Sequence, residues 1–150
     1  MDARAFLKQV EKIDAKIRNK LIEQQQWKDI ALCVTANTEG EKVQSSGAKS
    51  KMAEAIDRCV DMESEINALI DELIETKKTV IATIEQVDSP IEYDVLHKVY
   101  IQYMTFQEVA DHFGKGYDWV KTTHGRAKKS VQDILDERRD KTNENRVDRC

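Results

Sequence analysis

Two apolar stripes dominate the first two-thirds of the chain and narrow its fold to helices. Phe6, Val10, Ile13, Ile17, Trp27, Ala31 and Val34 recur at steps that combine threes and fours, with Leu7 and Leu21 beside them. Met52, Ile56, Cys59, Ile66, Ile70, Leu73, Val80, Ile84 and Val87 repeat the pattern, widened by Val60, Leu69, Ile74 and Ile81. Such spacing gathers side chains on one side of an α-helix and would scatter them over both faces of a strand. Pro90 is the single proline, so nothing interrupts either stretch. The expected helices run from about Ala3 to Thr35 and from about Lys51 to Val87, each about 50 Å long at about 1.5 Å per residue. Asn37 to Ser50, rich in glycine and serine, reads as the connecting loop.

Two long amphipathic helices joined by a loop pack antiparallel, so residues 1–89 are expected to form a helical hairpin. Lys20, Gln24, Glu63 and Lys77 interrupt its stripes. The second stripe is wider than one partner helix covers. A lone pair would leave part of it wet, which predicts self-association, with a dimeric four-helix core as the leading form, or docking onto a partner. The alternative is that helices from the C-terminal part fold back over it.

Aspartate, serine and proline at 88–90 end the second helix and start the next, because proline disfavours helix in the residue before it and suits a first helical turn. Ile91, Val95, Leu96, Val99, Tyr100 and Tyr103 predict a third helix. Thr105 to Ala127 then reads as helix, tight turn, helix, the length of a DNA-reading helix-turn-helix. Thr105 caps the first of these helices and Glu108 stands three residues on, as in a capping box. Val109, Ala110 and Phe113 share a face, and Gly114 follows where a left-handed backbone ends a helix. The second helix starts near Tyr117, with Trp119, Val120, Thr123, Ala127 and Val131 turned inward. The domain built from these three helices is expected over 90–135. Residues 136–150 hold five basic and five acidic residues with Val147 as the one large aliphatic. They are expected to extend the last helix by a turn or two and then fray as a disordered tail.

The whole chain carries a net charge of −4, so any affinity for nucleic acid must come from a local patch. One exists. Between Gly114 and Ser130 stand Lys115, Lys121, Arg126, Lys128 and Lys129, against Asp118 alone. With the second helix of the unit in a major groove, Gly116, Tyr117, Asp118, Lys121, Thr122 and Gly125 are the candidates to reach base edges. Lys115, Arg126, Lys128 and Lys129 are the candidates for phosphate. Asp118 suits the start of a helix and could accept from a cytosine amino group. Gly125 inside a helix costs about 1 kcal/mol relative to alanine, which a close approach to DNA or another helix would explain.

No glycine-rich phosphate loop, nucleophile elbow or acidic metal cluster is present, and the reading is of a protein without enzymatic activity, cofactor or metal. His97, His112 and His124 show no metal spacing with the cysteines and read as ordinary polar surface residues. Cys33, Cys59 and Cys150 make an odd, widely spaced set, consistent with a reducing interior. No early run resembles a signal peptide and no apolar run could span a bilayer. A cytoplasmic protein in a bacterial host, without membrane contact, is expected.

From Tyr93 to Leu135 the chain resembles the fourth region of bacterial sigma factors. The matching positions are Val95-Leu96, Glu108-Val109-Ala110, Phe113-Gly114, Val120-Lys121 and Arg126-Ala127. Lys115 stands where an apolar residue usually closes the turn, and His124 where leucine is usual. From about Ala3 to Leu135 the chain also resembles a narrower family. These are small region-four-like proteins of phages and prophages of Gram-positive bacteria, related to the ArpU and RinA types of late-gene regulator. The loop Lys42-Val43-Gln44-Ser45-Ser46 carries that likeness, with Tyr100, Phe106, Val109-Ala110 and His124-Gly125-Arg126-Ala127. The resemblance implies an all-α fold, a long antiparallel helical hairpin followed by a three-helix helix-turn-helix domain. It also implies a phage transcription regulator whose partner is double-stranded DNA. Nothing resembles the sigma region that melts promoters. The rival expectations are a protein-interaction module contacting RNA polymerase and a DNA-binding phage packaging subunit of the small-terminase kind.

Overall fold

The computed structural model describes residues 1–38 and 46–149. Those residues are all-helical, with no strand among them. Helix α1 spans Ala3–Thr38 and α2 spans Ser46–Ile84. Helix α2 thus takes in Ser46 to Ser50, which the sequence reading assigned to the loop. The Lys42-Val43-Gln44-Ser45 part of the motif lies outside the described residues. Helices α3 (Pro90–Leu96), α4 (Phe106–Phe113) and α5 (Tyr117–Val147) follow. A π-helical turn, His97–Ile101, continues α3.

The chain divides into two compact units. One comprises Met1–Lys12 with Ile74–Cys150, the other Ile13–Leu73. The break expected at Pro90 therefore lies elsewhere, within the long helices. In the first unit Leu7, Val10, Val80 and Ile84 have at most 1% of their surface exposed. The backbone N–H of Ala3 donates to Gln132 Oε1 of α5 at 2.8 Å. The outer parts of the two stripes are thus covered in the same unit as the C-terminal helices. This is the fold-back alternative, and it holds for these parts of the stripes.

Within that unit, Val95, Val109, Ala110 and Val120 form a fully buried cluster, with Val99, Met104, Phe106, Phe113 and Trp119 packed around it. Each element starts and stops as its local chemistry dictates. Ser89 Oγ accepts from the Glu92 N–H, and Pro90 opens α3. Thr105 Oγ1 accepts from the Glu108 N–H at 3.2 Å and so caps α4. Gly114 takes φ 63°, which lets the Lys115 N–H reach back to the Ala110 carbonyl at 2.9 Å. Tyr103 also has a positive φ, 59°, costly for a residue with a Cβ. It sits where Met104 N–H closes back onto the Lys98 carbonyl at 2.9 Å. Ile91 lies in α3 as expected, 51% exposed, whereas Tyr103, also expected in that helix, lies beyond the π-helical turn and is 39% exposed.

Helix α5 departs most from expectation. It continues to Val147, where an extension of only a turn or two past Leu135, followed by fraying, was expected. Arg138 donates to Thr83 Oγ1 of α2 at 2.8 Å, and Asp136 accepts from Gln132 and Arg139. Once a helix is nucleated, each further residue adds a backbone bond at modest entropic cost. A packed Val131 and the anchored Arg138 extend that run.

In the second unit, α1 and α2 run antiparallel. Lys20 Nζ meets Glu65 Oε2 at 2.9 Å, and Gln24 Nε2 donates to the Cys59 carbonyl at 3.1 Å. The Lys20 hydrogen bond holds the Glu65 carboxyl below its ordinary value. Ile13, Ile17 and Ile66 form a buried cluster here, flanked by Leu69 and Leu73, and Ala55 and Met62 are buried as well. The stripe then opens into an apolar groove of about 690 Å³, edged by Leu21, Leu32, Ile56 and Val60. Val60 is 61% exposed and Leu32 67%.

Candidate nucleic-acid interface

Helix α5 is buried along one side and open along the other. Val120, Ala127 and Val131 have no exposed surface, and Thr123 is buried beside them. Asp118, Lys121, Thr122, Gly125, Arg126 and Lys129 fall on the opposite side and are all exposed. Lys128 lies at the edge, half-buried. Thus the packing that buries the apolar side aims the expected base-facing and phosphate-facing residues outward. Lys115, Gly116 and Tyr117, in the turn and first residue of α5, are exposed as well. The Tyr117 ring leans on Phe106 at 5.9 Å. Lys115 holds its ammonium 5.9 Å from the Trp119 ring.

Gly125 has no neighbour crowding it. A Cβ built there would meet nothing within 4 Å. Packing among the described residues therefore does not explain the glycine.

His124 is the residue sequence reasoning misplaced. It is buried, not a surface residue, with 9% of its area exposed. Its Nε2 lies 2.7 Å from the Tyr100 hydroxyl, and its ring stacks on Tyr100 and tilts against Phe106 at 4.8 Å. Burial, with the Lys128 charge adding to it, pushes the imidazole down to about 4. Burial also pushes the Tyr100 hydroxyl up to about 12. Both groups are therefore neutral near pH 7, and the imidazole tautomer decides which donates. The imidazole thus sits as half of a polar pair inside an aromatic corner.

A feature absent from the sequence reading is the groove beside this corner. It has a volume of about 620 Å³ and brings Arg4, Lys8 and Glu11 of α1 together with Lys121, Gly125 and Lys128 of α5. The one available signal was that Arg4, Lys8 and Glu11 share a helical face. Nothing local says what that face meets.

Lys98 supports the assembly from behind α4. It is nearly buried, paired with Asp94 at 2.6 Å and held 5.5 Å from the Phe113 ring. Among the described residues no group of three or more histidine, cysteine or acidic side chains is placed to hold a metal ion. No described helix is long and apolar enough to cross a membrane. No family model, curated protein or solved structure matches the chain.

Proposed function

We propose that this chain is a sequence-specific, double-stranded-DNA-binding transcription regulator of phage or prophage origin, acting in the bacterial cytoplasm. In this reading α4, the Gly114 turn and α5 act as a sigma region-four-like helix-turn-helix, backed by α3. The observation that carries it is the outward side of α5: Lys121, Thr122, Gly125, Arg126 and Lys129 exposed together on a helix anchored by Val120, Ala127 and Val131. A rigid helix with a cationic outer side and an unobstructed glycine can enter a major groove and neutralise phosphates at its rims. The segment Ile13–Leu73 would serve assembly, with a second copy covering the apolar groove and making a dimer.

The test is a salt titration of duplex binding by the parent and by the Lys121→Ala/Arg126→Ala double variant. The expected result is a steep salt dependence for the parent, with the variant weaker and its slope shallower by about 1 for the lost phosphate contact of Arg126. Equal binding by both proteins would show that the reading helix is misassigned.

A second reading is favoured by the same apolar groove: a module that docks on RNA polymerase or another regulator, with the charges of α5 only solvating it. A parent slope near zero would select it.

A further inference from the structure

We propose that Arg4 and Lys8, near the start of the chain, form a second wall of the DNA-phosphate surface, facing α5 across the groove. This rests on the DNA-binding reading above. Arg4, Lys8 and Glu11 lie at steps of four and three on α1, so they present one face. That face lines the same groove as Lys121 and Lys128. Four cations thus border it, opposed by a single carboxylate, Glu11. None of the four is in an ion pair among the described residues. Gathering four cations against one carboxylate is unfavourable for the free protein, and a polyanion relieves it.

The groove interior adds no competing charge, because the Tyr100 hydroxyl and the His124 ring are neutral and bonded to each other. Its α5 wall is also continuous with the exposed side that ends at Lys129. Gly125 leaves a low point in that wall, since nothing lies within 4 Å of its missing Cβ. A long strand of phosphates fits such a continuous track better than an isolated small anion does. The contacts would be to backbone and carry no sequence information. The chain's first helix would therefore set affinity and register, while the α5 outer side reads bases.

The experiment measures binding of a labelled duplex by fluorescence anisotropy across a salt series. The proteins are the full-length parent, Arg4→Ala/Lys8→Ala, Glu11→Gln, and an Arg18→Ala/Lys51→Ala control from the other compact unit. For the first double variant the expected slope is shallower by about 2, with binding roughly 50-fold weaker at 0.1 M salt and the loss equal for specific and random duplexes. Glu11→Gln should bind several-fold tighter, a gain that misfolding cannot mimic. The control should match the parent. If the parent binds with a steep slope and Arg4→Ala/Lys8→Ala matches it, the second wall is absent while the DNA reading stands. If the parent shows no salt slope, both fall. If Arg4→Ala/Lys8→Ala melts early and Glu11→Gln binds no tighter than the parent, the loss belongs to the fold and the inference is overturned.

Discussion

The two compact units are built from the same two long helices yet bury them to different depths. In the unit of Met1–Lys12 and Ile74–Cys150, Leu7, Val80, Ile84, Val95, Leu96 and Val120 are wholly enclosed. In the unit of Ile13–Leu73 Ile13, Ile17, Ala55, Met62 and Ile66 are buried, while Leu21, Ile30, Leu32, Ile56 and Val60 remain 44% or more exposed. The stripe chemistry is alike in both. What differs is the number of helices available to cover it: two antiparallel helices cover a narrow seam, and a wider stripe needs a third and fourth element. The lesson is that an amphipathic helix has no fixed degree of burial. The same helix can be core at one end and open to solvent at the other.

The sharpest way to break this contrast is a pair of truncations. Leu7→Ala should cost about 2–5 kcal/mol, as for a fully enclosed leucine. Ile56→Ala, 44% exposed, should cost under about 1 kcal/mol. Urea unfolding followed by circular dichroism gives both values, and equal costs would erase the distinction.

Next in size is the pH response of the enclosed unit. The folded His124 value, about 4, lies below the ordinary 6.5. The unfolded chain therefore binds the proton first. The stabilisation is fully present above about pH 6.5 and is lost as pH falls through about 4, to a limit of about 3 kcal/mol. His124→Leu should flatten that part of the pH profile. An unchanged profile would place the titration elsewhere.

A smaller effect is expected from Val60→Asp, at the open groove. If a second copy covers that groove, a carboxylate there should weaken self-association about tenfold or more, a loss of about 1.4 kcal/mol, with little change in monomer melting. Sedimentation equilibrium measures it, and an unaltered dimer would direct attention to another face. Smallest is Gly125→Ala. With open space at the Cβ position, it should stabilise α5 by about 0.5–1 kcal/mol. Weaker DNA binding by that more stable protein would show that the glycine serves the ligand.

Much of this was legible along the chain. Thr105, Glu108, Gly114 and Pro90 act through bonds and dihedrals within a few residues, so their roles follow from order alone. The inward set Val120, Thr123, Ala127 and Val131 was readable from helical period, and with it the outward placement of Lys121, Thr122, Arg126 and Lys129. His124 was not readable, because its enclosure depends on Tyr100 and Phe106, brought to it by a π-helical turn and a left-handed tyrosine. Arg138 escaped too, since its partner Thr83 is 55 positions away.

The order of residues by itself determined that the described chain is helical and where most of its helices begin. It also determined which side of each helix is apolar. These are consequences of period, capping and φ preference, all of which act over one or two turns. Tertiary structure alone decided that residues 1–12 belong with the last two helices, that an imidazole sits in the core, and that Arg4 and Lys8 border the same groove as Lys121. Contacts between residues more than a hundred positions apart depend on how helices cross, and crossing leaves no periodic mark in sequence.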